Sequence, residues 1–195
     1  MDNETFNGIE PSRYIGRSYH LDANLIYATR RDEDWTCVEQ LEKWGAFPDG
    51  DIEERVVDLF MSKIAQQEAG ANHHLRRKKA SKHFFIHIHD SFGGEAEFKK
   101  NIETILFPLG AKCQQDQNDV DIVYHARQDN AVLVTNDRHH ILSKKQELEA
   151  IGVRVSNPSD AVDEIKLLIH KRDKEARLWA ENNHRPEPAW VCKDC

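Results

Sequence analysis

The chain has 195 residues, of which 31% are charged and 39% hydrophobic, and its formal net charge is −7. This length favours one domain with a core large enough for three layers of secondary structure. No apolar run approaches the roughly 18 residues that a membrane span needs, and the acidic start of the chain predicts no signal peptide. Four cysteines are too few for a disulfide framework. We therefore predict a cytoplasmic protein without membrane contact, whose negative charge allows only a local nucleic-acid-binding patch.

The first strand candidate follows a lead-in, residues 1–17, in which no period is visible. It covers residues 18–21, SYHL, and Asp22 stands at its end. A helix begins in residues 24–28. Cys37, Val38, Leu41 and Trp44 then recur at helical spacing, and Gly45, a residue that favours helix termini, is placed to end that helix. Because ligands of parallel α/β sheets bind beyond the carboxyl ends of the strands, Asp22 is a candidate site residue.

A second strand candidate, residues 56–62, leads into a helix that carries Glu68 on the same face as Ile64. This places a carboxylate on an otherwise apolar stripe. The helix is predicted to continue into residues 73–83, which are strongly basic. A solvated helix end explains this segment, and so does a patch that contacts the phosphates of RNA. The cations of such a patch are Arg76, Arg77, Lys78 and Lys79.

The segment HFFIHIH, residues 83–89, alternates between two sets of side chains and predicts a half-buried edge strand. His87 and His89 lie two residues apart within it, a spacing that allows a shared metal ion. An exposed edge strand also explains the two histidines and is the favoured interpretation. Apolar positions then predict a helix from Glu95 to Leu106.

The stretch from Asn118 to Asp137 combines a helix, a buried strand and an acid at the strand's end. Residues 131–135, AVLVT, are typical of a strand covered on both faces, and Asp137 follows it. We place the helix start at Asn118, where free N–H groups favour an anion at Asp119. Asp121 is the local alternative, because helix positions two apart face roughly opposite ways. We choose Asp119 for the crevice and assign Asp121 to the helix dipole.

The C-terminal part contains a last strand, residues 153–155, and a long helix from Ser159. A tail with two prolines is predicted to be extended. Cys192 and Cys195 supply half of a zinc site, which is a weaker alternative. Alternating short strands and helices predict an α/β fold with helices on both faces of a parallel sheet. We divide the chain into the lead-in, a domain of residues 18–157, and a C-terminal helix and tail, residues 158–195.

Four segments of the chain resemble the acidic motifs of the PIN-domain family. They are LDANLIYA around Asp22, IAQQEA around Glu68, NDVDIVYHA around Asp119 and LVTND ending at Asp137. The family consists of metal-dependent nucleases, mostly ribonucleases, and includes the toxins of many bacterial toxin–antitoxin pairs. The resemblance covers residues 18–157 and implies a three-layer α/β/α sandwich with a four- or five-stranded parallel sheet. The segment HFFIHIH and residues 158–195 are additions to a minimal toxin of this family.

By position, the resemblance implies four metal-binding and catalytic acids and two supporting polar groups. The acids are Asp22, Glu68, Asp119 and Asp137, and the supporting groups are Asn24 and Thr135. The implied cofactor is Mg²⁺ or Mn²⁺, hard cations that prefer carboxylate oxygens. The implied partner is RNA. A toxin-type enzyme would also bind an antitoxin or another protein, and the resemblance is compatible with a homodimer.

Two other classes of protein compete with a metal-dependent endoribonuclease. A haloacid-dehalogenase-like phosphatase also has an Asp after its first strand, but the second Asp that it needs is Asn24 here. A non-catalytic RNA- or protein-binding module with a PIN-like fold is the stronger competitor. Four ionised acids in one crevice repel each other unless metal or protons intervene. The presence of all four therefore favours the nuclease.

Overall fold

The computed structural model describes residues 10–27, 33–45, 55–70 and 94–194. Several sequence predictions concern residues outside these ranges. They are the basic segment with Arg76, Arg77, Lys78 and Lys79, the HFFIHIH strand with His87 and His89, and Cys195.

Four parallel strands form the sheet at the centre of the molecule. They are β1 (Ser18–Leu21), β2 (Asp58–Phe60), β3 (Val132–Val134) and β4 (Arg154–Ser156), in the order β2-β1-β3-β4. His20 is opposite Phe60 on one side and Leu133 on the other, and Leu133 is in turn opposite Val155. The three residues of β3 are all buried, which explains the apolar run that marks this strand in the sequence.

Six α-helices are described, with 3₁₀ turns at Ala23–Tyr27 and Leu142–Lys144. The helices are α1 (Glu33–Gly45), α2 (Lys63–Gly70), α3 (Glu95–Leu106), α4 (Gln114–Gln128), α5 (Lys145–Ala150) and α6 (Pro158–Asn182). Helix α1 packs against α6, while α4 packs against α2 and α3. The predicted α/β/α sandwich with a parallel sheet is confirmed, and the described sheet has four strands. Among the described helices, none combines the length and the apolar composition that crossing a bilayer requires.

Gly45 fixes how closely α1 approaches the sheet. A Cβ atom at this position would lie 2.4 Å from the Cβ of Leu59 in β2, closer than two carbon atoms can come. Leu59 itself is buried, as are Leu41 and Trp44 on α1. Gly45 is the last residue of α1, as the sequence predicts, and the structure adds a packing reason to its role in helix termination.

Helix α4 begins at Gln114, one turn earlier than the predicted start at Asn118. The side chain of Gln114 donates to Asn118 Oδ1 over 3.0 Å, a contact between residues one turn apart that supports this first turn. The carboxylate of Asp116 accepts a hydrogen bond of 2.7 Å from the N–H of Lys112 just before the helix. Asp119 therefore lies in the second turn of α4 rather than at its start.

The C-terminal tail is not extended, contrary to prediction, because it satisfies buried charges on α6 and the lead-in. Asp194 is 3% exposed and accepts hydrogen bonds from Arg13 and Arg172, each at 3.1 Å. Trp44 donates to the carbonyl of Asp194 over 2.9 Å, and the guanidinium of Arg172 lies 4.6 Å above the ring of Trp190. The lead-in and the tail therefore pack together on the sheet domain.

Candidate active site

The order of the strands creates a crevice between β1 and β3. From β1 the chain moves to β2 on one side of the sheet, and it returns to β3 on the other side of β1. In open α/β sheets, ligands bind at such a reversal, outside the carboxyl ends of the strands. Asp22 directly follows β1, and Asp137 lies just beyond the end of β3.

A cleft of about 470 Å³ opens at this reversal. All four acids predicted from the sequence line it, although they come from different elements. They are joined by six further residues that carry polar side chains and by one alanine. The lining consists of Asp22, Ala23, Asn24, Glu68, Gln114, Gln115, Asp116, Asn118, Asp119, Asp137 and His140.

Asp22 is held at the floor of the cleft by both its backbone and its side chain. Its N–H donates to the carbonyl of Val134 over 3.0 Å, which ties the end of β1 to β3. The carboxylate is only 4% exposed, and this burial raises its pKa to about 6. Hydrogen bonds from the hydroxyl of Thr135 and from the backbone oppose that rise without cancelling it.

Thr135 uses the full hydrogen-bonding capacity of its hydroxyl at this site. The hydroxyl donates to Asp22 Oδ2 over 2.6 Å and accepts from the side-chain amide of Asn24 over 3.1 Å. It also accepts from the N–H of Asp137 over 3.0 Å. One donor and two acceptors are all that a hydroxyl offers. The structure thus places both predicted supporting groups, Asn24 and Thr135, between the two strand-end acids.

Asp119 projects into the cleft from the second turn of α4, and no residue of the described ranges donates a hydrogen bond to its carboxylate. Partial burial, together with the charges of Asp22, Asp137 and Glu68, raises its pKa from 3.8 to about 7. Its ionised form is therefore unfavourable in the absence of a cation.

Asp121 points away from the cleft, as expected from its position two residues further along α4. Its carboxylate lies 2.9 Å from the Nζ of Lys99 on α3. The prediction that Asp121 serves the dipole at the start of the helix is wrong, because α4 starts earlier and places this residue mid-helix. Its role in the structure is to link α4 to α3.

Asp137 organises the turn after β3. Its Oδ1 accepts hydrogen bonds from the N–H groups of His139 and His140, over 2.9 and 3.0 Å. Its Oδ2 lies 3.4 Å from Nδ1 of His140. One ligand atom each from Asp119, Asp137 and His140 can be chosen so that all lie within 4.8 Å of one another. Sequence analysis missed His140, for which the spacing of three residues from Asp137 is the only signal.

Glu68 lies on the last turn of α2 and lines the cleft. Its Oε1 accepts a hydrogen bond of 2.6 Å from the side chain of Asn118 on α4. Asp116, which sequence analysis also missed, lines the cleft near the start of α4. Its carboxylate accepts from the thiol of Cys113 over 3.2 Å. These two acids and Asp22 all lie outside the close group formed by Asp119, Asp137 and His140.

The cleft has a strongly negative character. Five carboxylates line it, and within the described ranges no Lys or Arg side chain does. An acidic cluster that served only to stabilise the fold would be expected to contain its own cations. Compared with known protein families and with curated proteins, the sequence matches none.

Proposed function

We propose that this protein is a metal-dependent nuclease that hydrolyses phosphodiester bonds of RNA in the cleft between β1 and β3. One observation carries the proposal. Four acids that lie far apart in the sequence line a single cleft in which the described residues supply no Lys or Arg. These four, Asp22, Glu68, Asp119 and Asp137, are the residues at which the chain resembles the PIN-domain family.

The residues of the cleft fit a divalent cation. Carboxylate and amide oxygens are the ligands that Mg²⁺ and Mn²⁺ prefer. The carboxylate of Asp119 receives no hydrogen bond from the described residues, and its raised pKa reflects burial next to other acids. A cation would relieve this repulsion and provide the partner that the carboxylate lacks. We assign Asp22, Asp119 and Asp137 as ligands, with Glu68 at the outer side of the site.

When bound, such a cation neutralises charge on the scissile phosphate and favours ionisation of the attacking water. The protein's own groups position the ligands. Thr135 and Asn24 hold the carboxylate of Asp22 in one orientation, and the N–H groups of the turn after β3 hold that of Asp137. The amide side chain of Gln115, exposed at the edge of the cleft, offers a donor to phosphate oxygens.

The choice of RNA, and of a toxin-type enzyme with an antitoxin as protein partner, follows from the resemblance alone. The basic segment Arg76 to Lys79 begins eight residues after Glu68 in the sequence, and we propose that it contacts the RNA backbone. We also propose that the protein forms a homodimer and is located in the cytoplasm.

The test is incubation of the purified protein with end-labelled RNA and DNA in the presence of Mg²⁺, Mn²⁺ or EDTA. We expect metal-dependent cleavage of RNA that Asp22→Asn abolishes, because this change removes a ligand charge and preserves the shape of the side chain. Asp121→Asn is the matched control, since it removes an Asp that faces α3. Cleavage that persists in EDTA or in Asp22→Asn would refute the proposal. Absence of cleavage by protein that binds Mn²⁺ would favour the non-catalytic module.

A further inference from the structure

We infer that His140 is a ligand of the cation in this cleft and that it biases the site toward Mn²⁺ over Mg²⁺. The inference rests on the proposed function, because it concerns the same cation. It goes further in adding a nitrogen ligand to a set of carboxylates, and in predicting the preference of the site between Mn²⁺ and Mg²⁺.

The distances place His140 within reach of a cation held by Asp119 and Asp137. A ligand atom from each of the three residues can be chosen so that all lie within 4.8 Å of one another. Two ligands that each lie about 2.1 Å from one ion are at most roughly 4.2 Å apart. Small side-chain rotations are therefore sufficient to bring the three groups to one ion.

The imidazole of His140 is oriented by contacts that leave it available as a ligand. Its ring lies 5.5 Å from the ring of Phe107, measured between centroids. Its Nδ1 is 3.4 Å from Asp137 Oδ2, longer than a good hydrogen bond. The half-exposed ring thus lies at the edge of the cleft, with Nδ1 near a carboxylate that we assign to the metal.

The turn after β3 does not require the imidazole of His140. Asp137 Oδ1 accepts from the backbone N–H groups of both His139 and His140, and any residue except proline supplies such a group. His139 makes the same backbone contact, but its side chain does not belong to the group of potential ligands. The two neighbouring histidines therefore form a natural pair of test and control positions.

A nitrogen ligand changes the selectivity of a carboxylate site. Mg²⁺ is a hard ion that prefers oxygen and retains its waters. Divalent first-row metals also bind sites that contain nitrogen, although Mn²⁺ binds such sites more weakly than the later metals of the row. An imidazole next to two carboxylates should therefore increase the affinity for Mn²⁺ much more than that for Mg²⁺.

The inference is tested with the full chain by measuring metal binding, so that the test does not depend on nuclease activity. His140→Phe removes both nitrogens and keeps a ring against Phe107, His140→Gln is a smaller second change, and His139→Phe is the control. Free Mn²⁺ is quantified by electron paramagnetic resonance, and Mg²⁺ affinity is obtained by competition. Pulsed measurements on bound Mn²⁺ detect coupling to a ligand nitrogen, and melting temperatures in EDTA check that each variant is folded.

We expect nitrogen coupling in the parent and in His139→Phe, and its loss in both His140 variants. In His140→Phe the affinity for Mn²⁺ should fall by at least about tenfold, a loss seen even when groups that only orient a ligand are removed. The affinity for Mg²⁺ should fall by a smaller factor. Parent protein that binds Mn²⁺ without nitrogen coupling, or coupling that survives in folded His140 variants, would overturn this inference and leave the proposed function intact. Parent protein that binds neither ion would overturn both.

Discussion

Replacing Asp119 with Asn should stabilise the metal-free protein at pH 8, although it removes a charged residue from the candidate active site. Burial and the neighbouring acids raise the pKa of this carboxyl group from 3.8 to about 7. The folded state then holds a proton that the unfolded chain has already released, so stability falls as the pH rises from about 4 to about 7. Asn keeps the shape of the side chain and cannot ionise, so the variant does not lose this stability as the pH rises.

The size of the effect follows from the change in pKa. Each pKa unit corresponds to about 1.4 kcal/mol, which gives about 4 kcal/mol for the whole rise. Asp119 is partly exposed, and solvent screening reduces the effective value, which we take as about half of that, or about 2 kcal/mol. In a domain of this size, 1 kcal/mol shifts the melting temperature by about 2–4 °C, so the expected gain is roughly 4–8 °C.

The assay is urea and thermal unfolding of parent and variant in EDTA at pH 5, 6, 7 and 8. The advantage of Asp119→Asn should grow with pH and should be much smaller at pH 5, where most of the folded parent is protonated at this position. Asp121→Asn is the control and should cost at most about 1 kcal/mol, because it loses one partly exposed ion pair with Lys99. A variant that is less stable than the parent at pH 8, or a difference that does not change with pH, would show that Asp119 is not under electrostatic strain.

Three further predictions concern the metal, the hydroxyl group between the strands and the basic segment. Millimolar Mn²⁺ should raise the melting temperature at pH 8, and this gain should shrink as the pH falls through 7 and 6. The reason is that Asp119 and Asp22, with pKa values of about 7 and about 6, must lose protons to bind the ion. An equal gain in melting temperature at pH 5.5 and pH 8 would contradict this prediction. Thr135→Val should lower the free energy of unfolding by about 1–3 kcal/mol in urea titrations, because a buried hydroxyl with three hydrogen-bond partners is lost; a neutral effect would mean that this network contributes no net stability. Neutralising the four cations of Arg76 to Lys79 should weaken RNA binding and lower the slope of log Kd against log salt by about one per lost contact; equal slopes for variant and parent would assign this segment to a solvated helix end.

The sequence predicts the fold correctly at those elements where burial determines the residue type. The buried strand β3 has an apolar run because both of its faces are covered, and α3 spans Glu95–Leu106 as its apolar spacing predicts. The start of α4 was not accessible in this way. Its first residues, from Gln114, are polar and mostly exposed, so the segment carries no hydrophobic period that could reveal a helix. The folded tail was missed because the partners of Asp194 are distant in sequence.

Position relative to the strands distinguishes the predicted site residues from the missed ones. Asp22 and Asp137 come after the two buried strands β1 and β3. Because the carboxyl ends of neighbouring parallel strands meet in space, strand-end positions predict that these two acids share one site. His140 reaches the cleft from the turn after β3, and Asp116 reaches it from the first turn of α4. Neither turn has a sequence pattern that predicts a position in the cleft. Asn118, whose amide donates to Glu68, appeared in the sequence only as a helix start.

The cleft of this protein opposes folding, and that property bears directly on what the cleft binds. A strand end that required only a cap would be satisfied by Asn or Ser, whereas Asp22 is buried and its pKa is raised despite three hydrogen bonds. Protons offset this repulsion below about pH 6 to 7, and at higher pH only a cation can replace them. The electrostatic free energy that weakens the metal-free fold is therefore the same free energy that favours cation binding. Asp119→Asn removes one charge from this cleft, so it should gain stability without metal and also lose affinity for Mn²⁺. A variant that gained both stability and Mn²⁺ affinity would contradict the electrostatic coupling between the two.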